Sequence, residues 1–334
     1  MSITALILIA MVAWSTMAIA DPYIPAPSVV REVFGRLGPV PTPTDNPTTA
    51  AKAALGERLF NDRRLSGDGA LSCASCHPSD NGFAAPSRFS PAATGRHERR
   101  NAPSLINVAY VRDLLLDGRH DALDTQPIKS FGNVLHLNGD IDQVIARLTA
   151  DADYPASFVA AFGDGAITGR RIGQAIGAFE RTLIFNDSPF DRYRDGDVAA
   201  LSEPAKRGFG LFMRDGRCIT CHFGPNLSDS QFHNIAVPER HLRNNPGALA
   251  ALRLDAERMK YSGWESLEAA PGRALVTGDP DDFGKFRTVT LRNVAESAPY
   301  MHNGAYATLE EVVAHYVRGG EPRPTNYGAS ISSN

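Results

Sequence analysis

Apolar residues recur at helical spacing in four stretches of the chain that precede its last helix. Asn46-Pro47, a cap followed by proline, predicts the first helix start, and further helices are predicted at 140–150, 170–185 and after Ser202. Their apolar positions are Leu55, Leu59, Phe60, Ile141, Val144, Ile145, Leu148, Ile172, Ile176, Phe179, Leu183, Phe209, Phe212 and Met213. Strand patterns are few, so the sequence predicts a mainly α fold.

The last helix has the clearest boundaries. Thr308 and Glu311 have the spacing of a capping box, and Gly319-Gly320 stops the helix. Its predicted apolar face consists of Leu309, Val312 and Tyr316. Residues 240–285 are polar and show no clear period, so no element is predicted there.

The N-terminus has the composition of an export signal. Residues 1–20 are apolar and end in Ala18-Ile19-Ala20, a small-x-small cleavage pattern, which predicts a signal peptide. The first residues carry no Lys or Arg, so an uncleaved anchor stays open as an alternative. Residues 21–47 hold seven prolines and predict an extended N-terminal segment. Either way, the folded part is expected outside the cytoplasm, in the periplasm.

Two pentapeptides carry the chemistry of the chain. Cys73-Ala74-Ser75-Cys76-His77 and Cys218-Ile219-Thr220-Cys221-His222 both have the Cys-x-x-Cys-His pattern. In that pattern two thiols bond to the porphyrin and the histidine supplies an axial nitrogen to iron. The sequence therefore predicts two covalently bound haem c groups.

Other uses of paired cysteines fit less well. A shared zinc site would need the pairs about 15–20 residues apart, and they are separated by far more. A redox dithiol would explain one pair and neither histidine. The two motifs use all 4 Cys of the chain, which leaves none for structural disulfides.

Composition excludes some partners. The formal net charge is −3, with Lys+Arg 34 against Asp+Glu 37, so no strong basic field exists to bind nucleic acid. No basic amphipathic stretch suggests attachment to a membrane surface. After signal cleavage we expect no membrane insertion.

A weak internal repeat supports two haem domains. Gly-Glu-Arg-Leu-Phe precedes the first motif and Gly-Phe-Gly-Leu-Phe precedes the second. The predicted division is an N-terminal haem domain at 48–190 and a C-terminal haem domain at 191–334, both resembling cytochrome c.

Several segments around the two motifs resemble the bacterial di-haem cytochrome c peroxidases and their relatives of the MauG type. The matching segments run in the same order along the chain as in that family. They are 64–69 (Arg-Leu-Ser-Gly-Asp-Gly), 100–105 (Arg-Asn-Ala-Pro-Ser-Leu), 117–119 (Asp-Gly-Arg), 178–183 (Ala-Phe-Glu-Arg-Thr-Leu), 290–293 (Thr-Leu-Arg-Asn) and 298–302 (Ala-Pro-Tyr-Met-His).

The resemblance assigns roles to the histidines of the motifs and to one tyrosine. In the family the N-terminal haem meets hydrogen peroxide and the C-terminal haem stores or relays oxidising equivalents, with His77 and His222 as proximal ligands. The peroxidases have a methionine ligand fourteen residues after the counterpart of His302, and here that position holds Tyr316, as in MauG-type enzymes. By spacing alone, Tyr316 would be a core aromatic.

Two positions depart from the family pattern. In the family a glutamine is followed ten residues later by the catalytic glutamate; here these positions hold Gln126 and His136, and the resemblance makes both of them candidate catalytic residues. A histidine with a pKa near ~6.5 can take and return a proton at neutral pH, although His136 could also be a packing residue. Leu116 stands where the family usually has a tryptophan between the haems, so coupling between haems needs another route.

Further ligands follow from the same resemblance. His233 and His302 are expected to hydrogen-bond haem propionates. His97 could ligate the first iron, but its spacing favours a surface or propionate contact. The family's inter-domain Ca²⁺ site corresponds to the side chain of Asn101 and the carbonyls of Ser297 and Pro299, and calcium takes such oxygen donors.

Three functions fit these residues. A MauG-like enzyme would use hydrogen peroxide to reach a high-valent, bis-Fe(IV) state and oxidise Trp or Tyr on a secreted partner protein. His136 and Leu116 favour the branch resembling MbnH, which converts a partner's tryptophan to kynurenine. A cytochrome c peroxidase would take electrons from a small redox protein, and an electron carrier would have two six-coordinate haems. Met259 alone could supply the thioether that the last two require.

Overall fold

Helices are the main secondary structure of the part of the chain that the structure describes, and strands are few, which confirms the predicted fold class. The structure is a computed structural model describing residues 24–95 and 99–321. Its α-helices are α1 (Pro27–Phe34), α2 (Ala50–Asn61), α3 (Cys73–Cys76), α4 (Gln126–Phe131), α5 (Ile141–Thr149), α6 (Tyr154–Phe162), α7 (Gly169–Glu180), α8 (Pro189–Arg194), α9 (Glu203–Met213), α10 (Arg240–Arg243), α11 (Pro246–Arg258), α12 (Ala274–Thr277) and α13 (Leu309–Val317). Two short antiparallel strands, β1 (Phe232–His233) and β2 (Phe286–Arg287), pair with each other.

The first half of the chain is residues 48–190 and the second half is residues 191–334. The crossing of α2 and α7 builds the core of the first half. Gly56 permits the close approach, because a Cβ there would overlap the carbonyl oxygen of Ala175. The fully buried side chains around this crossing include Leu59, Phe60 and Ile176. Truncating such a residue to alanine typically costs ~2–5 kcal/mol of stability. Since α2 leads directly toward α3, this crossing also fixes the position of the first Cys-x-x-Cys-His motif.

The N-terminal segment is not wholly extended, contrary to the prediction for residues 21–47. Residues 27–34 form α1, with a proline in its first turn. Val30 and Phe34 lie one turn apart and are buried in a cluster with Tyr193 of α8. Because prolines are frequent elsewhere in the segment, the spacing of Val30 and Phe34 was not enough to predict a helix.

The start of α2 also differs from the prediction. The helix begins at Ala50, with Thr49 as its cap, rather than at Asn46-Pro47. The side chain of Asn46 is buried, and its amide nitrogen donates to Asp124 Oδ2 at 2.9 Å and to the Gln174 carbonyl at 3.0 Å. The side chain of Asn46, which the sequence pattern predicted to cap the helix, therefore bonds to distant parts of the fold instead.

Other predicted helix starts are confirmed. Asp140 caps α5, Ser202 caps α9, and Thr308 with Glu311 forms a capping box on α13. The position that α13 buries completely is His315, whose ring bonds to the hydroxyl of Tyr306 and the carbonyl of Ile235 at 2.9 Å each. The predicted apolar face is thus only partly buried.

The polar stretch at 240–285 contains α10, α11 and α12. A small cluster of Ala256, Leu267 and Leu275 holds it together, with Trp264 packed against the cluster. Among the described residues, no helix has the length and apolar character needed to cross a membrane.

Candidate haem sites

The first motif forms a single helical turn whose histidine is oriented by the backbone. Ser72 and Ser75 form a capping box on α3. Nδ1 of His77 lies 2.9 Å from the carbonyl oxygen of Phe83. A carbonyl only accepts, so Nδ1 carries the proton and Nε2 keeps its lone pair. Burial lowers the pKa of His77, which favours the neutral ring that binds metal.

The second motif repeats this arrangement. Cys218–Thr220 form a 3-10 turn, and Nδ1 of His222 donates to the carbonyl of Leu227 at 3.0 Å. Burial lowers the pKa of His222 as well. Both motifs therefore present a neutral imidazole with Nε2 available to iron.

The residues of both motifs fit covalent haem. All four cysteines lie in described residues, and none forms a disulfide. Arg287 is 8% exposed, and its Nε and one terminal nitrogen donate to the carbonyls of Leu115 and Thr288. Within the described chain it has no carboxylate partner at ion-pair distance. A buried cation of this kind suits an anion such as a haem propionate.

A loop between α4 and α5 brings His136 toward the first motif. The His136 carbonyl accepts from the Ala93 amide at 3.0 Å, and the next carbonyl, of Leu137, accepts from Gly67 at 2.8 Å. His136 lies close enough to His77 to contribute to the lowering of the pKa of His77, after the larger effect of burial. Gln126, at the start of α4, donates to Ser130 of the same helix at 3.0 Å. Gln126 therefore has a helical partner of its own.

Helix α13 brings Tyr316 toward the second motif. Burial raises the pKa of the Tyr316 hydroxyl to about 12, and the thiols of Cys221 and Cys218 add to the rise. The residue as a whole is 48% exposed, although burial is the main cause of the raised pKa of its hydroxyl. Met259 is 40% exposed at the end of α11.

Two histidines expected at haem propionates have carboxylate partners. Nε2 of His233 lies 2.7 Å from Asp229, and Nε2 of His302 lies 2.8 Å from Glu239. The ring of His302 also stacks on Phe286 with centroids 3.8 Å apart. Propionate contacts of these two histidines stay a prediction. Because Nε2 of each ring faces a carboxylate, Nδ1 is the atom that would bond to a propionate. His97 lies outside the described residues.

Glu239 is a buried charge that the sequence pattern did not indicate. Its carboxylate also accepts from Asn303 at 3.2 Å, and Arg88 of the first half reaches the neighbouring His241 at 3.3 Å. Burial alone would raise the pKa of Glu239, but His302 holds it below its usual value. Glu239 directly precedes the polar stretch at 240–285, and no sequence pattern marks it, so only its contacts reveal it.

The predicted calcium ligands lie near this cluster. The Asn101 amide donates to the His302 carbonyl at 2.9 Å, which ties Asn101 to the loop that contains Ser297 and Pro299. The side-chain nitrogen of Asn101 donates to Ser87 at 3.0 Å, and its side-chain oxygen is the atom that a cation would use.

Leu116 is buried where the two halves meet. Its carbonyl accepts from the Arg287 amide of β2 at 2.8 Å. Next to it, the buried carboxylate of Asp117 pairs with Arg100 and Arg119, each at 2.6 Å. Arg273 of the second half donates to the carbonyls of Asp117 and Gly118. Hydrogen bonds therefore cross the boundary at the position where the family usually has a tryptophan.

Comparisons with known proteins bear on the family of the chain. A family model described as di-haem cytochrome c peroxidase matches residues 50–199. The chain is 38% identical over 296 residues to cytochrome-c peroxidase IdrP1 of Denitromonas iodatirespirans, covering 87% of this chain and 79% of that protein. It is 33% identical over 304 residues to the methylamine utilization protein MauG of Methylophilus methylotrophus, covering 90% and 83%.

A solved structure gives the same result for the fold. The crystal structure of a MauG-like protein associated with microbial copper homeostasis matches with a TM-score of 0.72 at 33% identity, covering 86% of this chain and 82% of that one. The chain therefore belongs to the di-haem cytochrome c peroxidase family, in the branch that includes MauG, and is a haem-dependent oxidoreductase that acts with peroxide and carries two haem c groups.

Proposed function

We propose that the protein uses hydrogen peroxide to oxidise an aromatic side chain, a tryptophan converted to kynurenine, on a secreted partner protein. The observation that carries this proposal is the closeness of the Tyr316 hydroxyl to the second motif, where the thiols of Cys221 and Cys218 add to the rise in its pKa after the larger effect of burial. A phenolate oxygen is a hard donor that stabilises oxidised iron, whereas a thioether raises the reduction potential. A second haem with a tyrosine ligand suits storage of oxidising equivalents rather than collection of electrons.

The remaining roles belong to residues near the first motif. The haems, when bound, supply the redox chemistry. His136 would take a proton from one oxygen of hydrogen peroxide and return it to the other oxygen, which leaves as water. Gln126, the other catalytic candidate near the first motif, lies at the start of α4, the helix that leads to the loop with His136. His77 and His222 bind the two irons through Nε2.

The proposal includes the calcium site and the cellular location. A Ca²⁺ ion bound by Asn101, Ser297 and Pro299 would join haem domains at 48–190 and 191–334. The protein would act in the periplasm, after removal of the predicted signal peptide. The link between Asn101 and His302 supports the calcium site, because it joins the two halves at the predicted ligands.

A cytochrome c peroxidase is the second candidate. The identity of 38% to a protein of that name favours it. A peroxidase of this kind collects electrons from a small redox protein and needs one haem reduced before it reacts. Among the described methionines, Met259 is an exposed residue at a helix end, and Met213 packs in the cluster around Val30 and Phe34.

The experiment mixes fully oxidised holoprotein with hydrogen peroxide and no reductant. We expect a long-lived change in the haem spectrum, and kynurenine in a protein of the periplasmic fraction by mass spectrometry. Tyr316→Phe should retain two haems and lose both effects. If the wild-type protein reacts only after one-electron reduction, and Tyr316→Phe behaves identically, the peroxidase is the correct function.

A further inference from the structure

A short sequence that occurs once in each half lies beside each proximal histidine. Residues 104–109 are Ser-Leu-Ile-Asn-Val-Ala, and residues 290–295 are Thr-Leu-Arg-Asn-Val-Ala. Both copies fold alike: Asn107 and Asn293 have φ values of 56° and 54°, and a 3-10 helix follows each. Each copy begins with a hydroxyl residue, Ser104 in the first half and Thr290 in the second.

In the first half, the hydroxyl of Ser104 joins two backbone segments. Its Oγ donates to the carbonyl of Gly82 at 2.6 Å and accepts from the amide of Ile106 at 3.1 Å. The Leu105 amide donates to the Phe83 carbonyl at 3.2 Å. Phe83 O is also the acceptor for Nδ1 of His77, so Ser104 secures the peptide directly before that acceptor.

In the second half, Thr290 makes the same pair of bonds. Its hydroxyl donates to the carbonyl of Asn226 at 2.7 Å and accepts from the amide of Arg292 at 3.1 Å. Asn226 immediately precedes Leu227, whose carbonyl accepts from Nδ1 of His222. The same arrangement therefore occurs at both sites: a hydroxyl bonds to one backbone carbonyl, and the next carbonyl along the chain accepts from the histidine.

The acceptor residue needs this support because its backbone is strained. Phe83 has φ = 55° and Leu227 has φ = 51°. The left-handed conformation costs a residue with a Cβ roughly 1–2 kcal/mol. Such conformations persist where neighbouring contacts hold them. Without the hydroxyl, each turn could relax and move its carbonyl away from the histidine.

We propose that Ser104 and Thr290 are positioning residues that set the strength of the Nδ1–H···O=C bond at their own proximal histidine. A stronger bond makes the imidazole a more basic ligand and favours the oxidised metal. Each hydroxyl thus lowers the reduction potential of one haem. This inference needs only that His77 and His222 bind iron, so it does not depend on the partner protein or on Tyr316.

The test measures both reduction potentials of holoprotein variants by spectroelectrochemical titration. Ser104→Ala should favour reduction of the first haem about threefold to tenfold, or roughly 30–60 mV at ~59 mV per decade. Thr290→Val, which keeps the side-chain shape, should do the same at the second haem. The iron–histidine stretching frequency of the ferrous form should fall in parallel at the altered site only.

Hydroxyl-preserving variants provide the control. Ser104→Thr and Thr290→Ser should change the reduction equilibrium of either haem by less than about twofold relative to the wild type. The proposal is overturned if Thr290→Val shifts both haems equally or neither, or if Thr290→Ser shifts the second haem as much as Thr290→Val does. These outcomes decide the question even if Ser104→Ala fails to take up haem.

Discussion

The two halves of the molecule support the histidines of their Cys-x-x-Cys-His motifs in the same way but differ in the side chain that approaches each motif. His77 and His222 both donate from Nδ1 to a backbone carbonyl, at 2.9 and 3.0 Å. Near the first motif the additional group is His136, whereas near the second it is the hydroxyl of Tyr316. Under the proposed function, the common part holds the proximal histidine, and the different part assigns proton transfer to the first site and storage of oxidising equivalents to the second.

The halves also anchor the repeated sequence differently. Ile106 in the first copy is a buried apolar residue. The matching Arg292 is buried too, and its guanidinium contacts both oxygens of Asp191 at 2.9–3.0 Å and the Pro225 carbonyl. The first half relies on apolar packing at this position, and the second on a buried ion pair.

Removal of that ion pair should have the largest effect. Asp191→Asn leaves the buried Arg292 guanidinium without its ion-pair partner, whereas Arg194, which pairs with Asp191 at 2.8 Å, keeps its pair with Asp195. We expect a loss of about 3–5 kcal/mol in the free energy of unfolding, measured by denaturant titration. Asp195→Asn is the matched control: that carboxylate is more exposed, and we expect at most about 1 kcal/mol. Equal losses in both variants would contradict the comparison.

The same pair predicts a pH dependence. Burial alone would raise the pKa of Asp191, but the bonds from Arg292 and Ser188 lower it below its usual value. A carboxylate with a lowered folded-state pKa stabilises the protein above its unfolded pKa of ~3.9, and this stabilisation is lost as pH falls further. Asp191→Asn should therefore reduce the fall in stability below about pH 4, as followed by thermal unfolding.

His136→Ala tests the first half. If His136 transfers the proton, the reaction with hydrogen peroxide should slow about 10²-fold, measured by stopped-flow absorbance. The haem spectrum at rest should change little. His233→Ala removes a histidine near the second motif and should leave that rate unchanged. A normal rate in His136→Ala would make His136 a packing residue.

Tyr316→Met tests the second half and has the smallest expected effect. A thioether in place of a phenolate should favour reduction of the second haem by about tenfold or more, roughly 60 mV at ~59 mV per decade. The first haem should keep its potential. Tyr306 bonds to His315, and Tyr306→Phe is the control. It should change the reduction equilibrium of the second haem by less than about twofold. A potential unchanged by Tyr316→Met would mean that Tyr316 does not bind the iron.

The sequence by itself determined the features that depend on neighbours along the chain. Helical spacing and caps such as Asp140 and Ser202 predicted α5 and α9, because these signals act within one or two turns. The Cys-x-x-Cys-His spacing predicted both haem sites, since haem attachment requires those residues within five positions.

Only the tertiary structure decided the roles of polar atoms that meet across the fold. Asn46 has the local pattern of a cap, yet contacts with Asp124 and Gln174 bury it. Glu239 is unremarkable in sequence, and its charge becomes important only through His302, 63 residues away. A buried polar group needs a hydrogen-bond partner, and the fold determines which polar group lies close enough to be that partner.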